Sequence, residues 1–436
     1  MVEKGTIARA AFGAVLIVIL LAIAVGYRAF EKNFGTDTSI PPAIAPASAV
    51  EEAHPSFLYG RIVIASGATY EGRLRWGRGG GQEAFWGDYF NGFKSQNPWA
   101  VHVPPERLGK EPMKIFGIDI GGGSKLDLGR PFMARFGDIA RIELVGADVR
   151  LMLKSGTVLI TNYSAFNDLD DGVRVWDRSQ GILDVGARQV RTIDFLSAPG
   201  AGPPPHRLHG TVHTRAGDFT GFVQWNRNKG LGTDELGGRT TDGDVRVRFD
   251  TIRSIAREAD SSLVKLLDGR EILFTGPESG HANLGIYVDD PRFGRVLVSW
   301  DTFERLDFSP GGSGPAYGDF PAGLPLTGIV TTRAGRRLAG RLVYDLDESE
   351  TTETLDAPAE GVDYTIPFGL VTSIVLPGLE ERARVTLTNG ERLQLDRRGD
   401  LSEANGGMLI FVDGSQRAEY VLWKDVERVD FHRPSR

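Results

Sequence analysis

The sequence predicts an all-β protein made of tandem repeats. Three observations lead to this prediction: a block of sequence recurs three times, its apolar residues alternate with polar ones, and glycine supplies 56 of the 436 residues. Alternation with a period of two indicates strands with one buried face. Abundant glycine indicates many turns and therefore many short elements.

The repeat is clearest at the end of each copy, where the sequences VRTIDF, FERLDF and VERVDF close residues 190–195, 303–308 and 426–431. Counting 20 residues back from each final phenylalanine gives an apolar residue, and counting back further gives a glycine in a short polar segment. These residues are Val175, Val288 and Phe411, and then Gly156, Gly269 and Gly390. The glycine segments are typical of two-residue hairpin turns.

A second pattern opens each copy. Two glycines recur about twelve residues apart, at Gly60 and Gly72, Gly210 and Gly221, and Gly328 and Gly340. We call the opening pattern the A half and the closing pattern the B half. The chain then divides into repeat 1 at 57–198, whose A half carries an insertion, repeat 2 at 206–309 and repeat 3 at 325–432.

Each half has about 50 residues, and a lone sheet of that size leaves its edges open unless its strands bend strongly and close. The segment from Gly328 through Gly335, Gly340 and Tyr344, with its closing VERVDF, resembles the small SH3-like and Sm-like barrels. The likeness is to the fold and covers most of residues 57–432. It implies an array of about six small barrel modules in three A–B pairs. The full prediction places this array after an N-terminal transmembrane or signal helix, which follows from the apolar run and not from the likeness.

The N-terminal region, residues 1–30, carries that helix in the prediction. Lys4 and Arg9 precede a charge-free apolar run over residues 10–27, which indicates a membrane anchor or a signal peptide. An anchor predicts a single-pass cell-membrane protein with its C-terminal part extracytoplasmic, in the periplasm. Cleavage near Ala24 predicts a secreted protein instead. Residues 31–56 are rich in proline and alanine, which predicts a linker.

Composition excludes several classes of function. The net charge of −7 disfavours nucleic acid as a partner, because phosphate recognition normally needs a basic excess. The absence of cysteine removes disulfides, zinc–thiolate sites, iron–sulfur clusters and thiol nucleophiles. No catalytic motif with a known mechanism is present in the sequence, so we expect no enzyme activity and no cofactor.

The insertion of repeat 1, whose extra residues span 93–129, begins with a cluster of aromatic side chains. They are Phe85, Trp86, Tyr89, Phe90, Phe93 and Trp99. Aromatic side chains dominate many ligand and partner surfaces. Packing between modules, or over the end of a barrel, also explains them and is the favoured interpretation.

Two groups of acidic residues are candidate sites. Six acidic residues form an acidic run in repeat 3: Asp345, Asp347, Glu348, Glu350, Glu353 and Asp356. Carboxylates at alternate positions of this run could bind a calcium ion, with Asp345, Asp347 and Glu350 as the candidates, but the Asp-x-Asp-x-Asp-Gly turn is missing, which favours a solvated hairpin. Asp194, Asp307 and Asp430 recur beside the final phenylalanine of each copy. Their repetition indicates a structural role.

These observations lead to three hypotheses. The preferred one is a non-enzymatic repeat protein that presents binding surfaces to an envelope partner protein or glycan. The alternatives are a hydrolase of envelope polymers with a cleft between modules, and a structural spacer or assembly subunit that forms oligomers.

Overall fold

A computed structural model describes residues 53–77, 83–104, 130–163, 168–200, 202–378, 381–412, 415 and 417–432, and the backbone of 114–115 and 118–119. The chain divides into two units, Met1–Pro42 and Ala43–Arg436, and every described residue belongs to the second. Within the described ranges the protein is all-β, as predicted, and its only helices are 3₁₀ turns of three to five residues.

Repeat 1 contains strands β1 to β12. They are β1 (Tyr59–Ile64), β2 (Thr69–Trp76), β3 (Tyr89–Phe93), β4 (Lys114–Ile115), β5 (Ile118–Asp119), β6 (Pro131–Arg135), β7 (Ile139–Val145), β8 (Asp148–Leu153), β9 (Val158–Asn162), β10 (Val173–Asp177), β11 (Gly181–Val185) and β12 (Val190–Phe195).

Repeat 2 contains strands β13 to β22. They are β13 (His209–Thr214), β14 (Gly217–Gln224), β15 (Glu235–Thr240), β16 (Gly243–Arg248), β17 (Ile252–Glu258), β18 (Ser261–Leu266), β19 (Glu271–Phe274), β20 (Ile286–Asp290), β21 (Gly294–Val298) and β22 (Phe303–Phe308).

Repeat 3 contains strands β23 to β32. They are β23 (Thr327–Thr332), β24 (Arg337–Tyr344), β25 (Thr354–Ala359), β26 (Val362–Pro367), β27 (Val371–Val375), β28 (Arg382–Leu387), β29 (Arg392–Asp396), β30 (Met408–Val412), β31 (Glu419–Val421) and β32 (Val426–Phe431).

Short 3₁₀ turns separate many of the strands. They are Pro98–His102, Phe136–Asp138, Asp168–Asp171, Ala187–Gln189, Phe249–Thr251, Pro277–Ser279, Tyr317–Asp319, Phe368–Leu370, Gly399–Leu401 and Trp423–Asp425.

The three repeats share one topology. Their sheets run β11-β10-β2-β1-β12-β7-β8-β9, then β21-β20-β14-β13-β22-β17-β18-β19, then β31-β30-β24-β23-β32-β27-β28-β29. Every pairing in these orders is antiparallel. The same strand order arising three times agrees with the internal repetition of the sequence.

Each sheet mixes strands from both halves of its repeat, which differs from the expectation of separate A and B barrel modules. The first strand of each A half pairs with the last strand of the B half, as β1 does with β12. The second strand pairs with a B-half strand on its other side, as β2 does with β10. The two halves therefore share backbone hydrogen bonds and one sheet.

The final phenylalanines of the three copies occupy matching places. Phe195, Phe308 and Phe431 lie opposite the first glycine of their own copy. Each ring also contacts the phenylalanine of a 3₁₀ turn, with centroids 5.8, 6.0 and 5.5 Å apart. The repeated aspartate one residue earlier pairs with an arginine in every copy, in agreement with a structural role.

Counting back from the last phenylalanine misplaces one strand of repeat 3. Leu74 lies opposite Val175 in repeat 1, but Leu342 lies opposite Ile410 in repeat 3, and not opposite Phe411. Ile410 is fully buried, whereas Phe411 is partly exposed. Repeat 3 therefore has one more residue between these strands and its end, and a shift of one residue moves side chains to the opposite face.

One hairpin crosses between repeats. Strands β25 and β26 of repeat 3 extend the sheet of repeat 2, because β26 pairs with β21 and makes that sheet ten-stranded. The corresponding pairs β15–β16 and β3–β6 form separate two-stranded sheets. Repeats 2 and 3 are thus joined by backbone hydrogen bonds as well as by side chains.

The predicted single-pass membrane localisation is contradicted. Across the residues that the structure describes, no helix has the length and the apolar composition required to cross a bilayer. The apolar run 10–27, the cleavage site near Ala24 and the linker up to Glu52 lie outside the described residues. We therefore withdraw the assignment of a membrane protein with a periplasmic C-terminal part.

We expect Gly221→Ala to destabilise the protein by about 3 kcal/mol, the upper end of the cost of overpacking. A Cβ atom at Gly221 would lie 1.9 Å from the carbonyl oxygen of Asp289 on the neighbouring strand, so the backbone would have to move. Gly318→Ala is the matched control, because nothing lies within 4 Å of a Cβ there. Urea denaturation measures both, and equal free energies of unfolding for the two variants would contradict the expectation.

Candidate functional site

The aromatic segment of repeat 1 lies mostly in the interior. Phe85, Trp86 and Phe90 are buried to within 1% of their surface, and Tyr89 is also buried, while Phe93 is 43% exposed. Trp86 packs on Tyr317, with centroids 4.6 Å apart, and its indole N–H donates to the carbonyl of Pro55. The exposed aromatic patch considered in the sequence analysis is therefore absent from this segment.

These aromatic residues join repeat 1 to repeat 2. The Arg207 guanidinium lies 3.8 Å from the centre of the Phe85 ring, and the Arg295 guanidinium lies 5.0 Å from that of Tyr89. Arg295 also forms ion pairs with Asp88 of repeat 1 and Asp289 of its own repeat. This segment packs between repeats 1 and 2, which is the interpretation that the sequence favoured.

Trp99 packs on repeat 3 instead. Its ring centroid lies 5.9 Å from that of Phe411, and the Arg341 guanidinium lies 4.7 Å from the ring centre. Nearby, Val103 joins a small apolar cluster with Val343, Leu346 and Leu409. The described start of the insertion therefore covers repeat 3, while residues 105–113 and 120–129 lie outside the described part of the chain.

The acidic run of repeat 3 is largely buried against repeat 1. Lys94 Nζ lies 2.9 Å from Asp347 and 3.1 Å from Glu353, and all three side chains are nearly inaccessible to solvent. Arg130 pairs with Asp345 at 2.8 Å, and the Thr157 hydroxyl donates to Glu350. The expected solvated hairpin is thus a buried interface whose cations come from another repeat.

The pKa values of this interface reflect its burial. Burial alone would lower the pKa of Lys94, but the carboxylates of Glu353 and Asp347 outweigh it and the pKa is raised. Burial raises the pKa of Glu353, against the opposing effect of Lys94. Burial also raises the pKa of Asp345 to about 6, although Arg130 opposes this shift.

Asp400 extends the acidic cluster. Its carboxylate accepts a hydrogen bond from the backbone N–H of Asp356 at 2.6 Å. Burial and the nearby Asp356 carboxylate raise the pKa of Asp400 to about 8. The residue is therefore largely protonated at neutral pH, which reduces the number of negative charges enclosed beside Asp345 and Glu348.

The structure does not support a calcium site at Asp345, Asp347 and Glu350. Their carboxylate oxygens already bind Arg130, Lys94 and Thr157, respectively. No group of three or more His, Cys, Asp or Glu side chains within the described ranges is arranged to hold a metal ion. A cavity of about 20 Å³ beside Phe368 and Phe431 has room for about one water molecule, far too little for a polymer substrate.

Repeat 2 carries a cross-strand pair of leucines of which one is half-buried and the other is exposed. Leu263 of β18 lies directly opposite Leu273 of β19, so both side chains project from the same face of the sheet. Leu273 is 52% exposed, and Leu267, just beyond β18, is 57% exposed. We call these three residues the leucine patch.

The leucine patch is a departure from the repeat. The cross-strand pair that matches Leu263 and Leu273 is Arg150 and Ile160 in repeat 1, and Arg384 and Gln394 in repeat 3. The fold therefore does not require two leucines at this place. Aligning the turn glycines Gly156, Gly269 and Gly390 finds the patch from the sequence alone. No feature of the sequence, in contrast, indicates that Lys94 pairs with carboxylates some 250 residues away.

Comparison with known proteins gives no assignment: no protein-family model matches this chain, and no curated protein matches it.

We expect Lys94→Met to cost about 3–5 kcal/mol of stability near pH 8, because it leaves buried carboxylates without their cation. The cost should shrink as the pH falls, since protonation neutralises those carboxylates. Arg61→Met is the control, because its ion pair with Glu71 is solvent-exposed and such pairs contribute about 1 kcal/mol or less. Urea denaturation at several pH values tests this, and equal costs for the two variants would refute it.

We expect Asp400→Asn to stabilise the protein increasingly as the pH rises from about 4 to about 8. The pKa of Asp400 is raised in the folded protein, so the stability that its protonated form contributes is complete below the ordinary pKa of 3.8 and is lost as the pH rises through about 8. An asparagine stays neutral throughout.

Thermal unfolding of wild type and variant between pH 4 and pH 9 measures this difference. Asp268→Asn is the control, because Asp268 is exposed and hydrogen bonds from Arg270 lower its pKa. A difference between Asp400→Asn and wild type that stays constant with pH would rule out the proposed protonation.

Proposed function

We propose that this protein is a non-enzymatic scaffold that binds a partner protein through the leucine patch of repeat 2. The observation that carries the proposal is the cross-strand pair of the half-buried Leu263 and the exposed Leu273, at a position where the other repeats have arginine with isoleucine or glutamine. In a repeated fold, residues shared by all copies build the scaffold, and residues unique to one copy are available for recognition.

The surroundings of the patch suit a protein interface. Lys265 and Glu271 form an ion pair at 2.8 Å across the same two strands, between the Leu263–Leu273 pair and Leu267. On the other side, Ala256 lies opposite Leu263 and Arg305 lies opposite Ala256. Apolar and charged side chains therefore alternate on this surface, a mixed composition that is common in non-obligate protein–protein contacts.

A partner protein fits better than a glycan. Sugar recognition relies on exposed aromatic faces, and the aromatic segment of repeat 1 is used to join the repeats. Aliphatic side chains such as Leu267 and Leu273 instead contribute by removing apolar surface from water on contact with another apolar surface.

A hydrolase is less well supported. It would need ionisable groups that converge on a cleft open to a polymer. The acidic groups with raised pKa values, among them Asp345, Glu353 and Asp400, are enclosed between repeats 1 and 3 and hydrogen-bonded there.

The likeness to SH3-like and Sm-like barrels remains part of the proposal. Close backbone contacts at paired glycines such as Gly210 and Gly221 support strongly bent strands of the kind those barrels have. Each eight-strand unit would then correspond to one A–B pair.

We expect Leu273→Lys to abolish capture of a specific partner from an extract of the source cells. A buried charge at the centre of an apolar contact lowers affinity by about tenfold or more. Gln394→Lys is the matched control, because Gln394 occupies the corresponding exposed position of repeat 3.

Both variants and the wild type should be used as full-length baits with equal melting temperatures. A protein retained by wild type and Gln394→Lys but lost with Leu273→Lys supports the proposal. If the same set of proteins is captured by all three baits, the leucine patch is not the binding surface.

A further inference from the structure

The pairing of β26 with β21 shows how one repeat attaches to another. Four cross-strand pairs form: Arg295 with Thr365, Val296 with Tyr364, Leu297 with Asp363, and Val298 with Val362. The alternate residues Val296, Val298, Val362 and Tyr364 are buried in the shared core. The second strand of one hairpin thus completes the outer edge of the preceding repeat.

Repeats 1 and 2 contain the equivalents of β21 and β26, but these two strands do not pair with each other. Strand β11 of repeat 1 corresponds to β21, and it is the end strand of its sheet. Strand β16 of repeat 2 corresponds to β26, and within the described residues it pairs with β15 alone. The other side of that hairpin is occupied, because Arg239 and Thr275 exchange two backbone hydrogen bonds.

Strand β11 has few of the features that usually protect a sheet edge: its one charged residue, Asp184, is paired with Arg174 of β10, and no further strand within the described residues pairs with it. It is as long as β21, contains no proline or lysine, and pairs with β10 without a bulge. The corresponding edge of repeat 3, β31, has only three residues. Open edges of regular strands are templates for a further strand, and proteins normally shorten, charge or cover them.

We propose that β11 of one molecule pairs with β16 of a second copy of this chain, in the antiparallel register that β21 and β26 use within the chain. This places Ile182 opposite Arg246, Leu183 opposite Val245, and Asp184 opposite Asp244, with Val185 opposite Gly243.

The side chains suit this register. Leu183 and Val185 are buried against the core of repeat 1, and Val245 is partly buried against that of repeat 2, so the apolar faces of the two strands become continuous. On the other face, Asp184 already forms an ion pair with Arg174 of β10 at 2.7 Å, and Arg246 of the second copy would lie diagonal to it. The directly opposite Asp244 is the one unfavourable contact.

The contact joins two different surfaces, so every molecule offers one β11 and one β16. Such heterologous contacts produce rings when the rotation closes and open chains when it does not. The inference stands apart from the leucine patch, which lies on the face of another hairpin, and either proposal can fail alone.

Thiol cross-linking tests the register directly, because the natural chain has no cysteine. Full-length Ile182→Cys and Arg246→Cys proteins, one carrying a size tag, are mixed at about 10 µM under mild oxidation. Cross-strand neighbours have the spacing that a disulfide needs. Thiols held side by side have effective concentrations in the millimolar range, so the mixed disulfide should form on the order of 100-fold faster than by random collision.

Asp268→Cys replaces Arg246→Cys in the control, because Asp268 is exposed on the same repeat but lies in a different turn. Mixed disulfides forming no faster than this control overturn the proposal. So do links mainly between two Ile182→Cys molecules, which indicate a symmetric contact. A chain carrying both substitutions that closes only on itself indicates pairing within one molecule, and also overturns it.

Charge reversal gives a second test that leaves the core untouched. Asp244→Lys places a cation opposite Asp184 and should tighten self-association about fivefold in sedimentation velocity, since it replaces a like-charge pair by an opposite-charge pair. Asp268→Lys makes the same charge change at an exposed position in a different turn of the same repeat and should leave association unchanged. Equal sedimentation of the two variants would overturn the proposal.

Discussion

The structure depends on one constraint of backbone packing, the close contact of strands at paired glycines. Gly60 lies opposite Gly72 on the two neighbouring strands of repeat 1, and the other two repeats have the same pair. A Cβ atom at any of the six glycines would fall within 2.4 Å of a carbonyl oxygen on the next strand. The four strands β12, β1, β2 and β10 can therefore approach only without side chains there, and this approach unites the two halves of each repeat in one sheet.

Most of the charged and aromatic side chains that were candidates for a functional site take part in contacts between repeats. Lys94 and Arg130 of repeat 1 neutralise the acidic run of repeat 3, while Phe85 and Tyr89 contact arginines of repeat 2. Burying charges is costly unless each is paired and hydrogen-bonded, so these groups specify how the repeats fit together more than they add stability. The proposed recognition therefore uses surface residues that differ between copies, such as Leu273, and strand edges such as β11.

Much of the fold was predictable because the alternation of apolar residues and the residues that form turns can be recognised within short stretches of sequence. The alternation, the hairpin glycines such as Gly156 and the recurrence of Phe195, Phe308 and Phe431 indicated strands, turns and copies correctly. The separation into A and B modules failed because sequence neighbours do not reveal that β1 pairs with β12 across some 130 residues. The acidic run was misread as solvated because its cations lie about 250 residues away.

The sequence by itself determined the class of structure, the three copies and the positions at which they differ, because these follow from residue type and spacing along the chain. Only the tertiary structure decided which strands share a sheet, which carboxylates are buried and which edges stay open. Those properties depend on residues that are distant in the chain but adjacent in space. Burial and pairing, in turn, set the pKa of Asp400 and leave β11 as an outer edge.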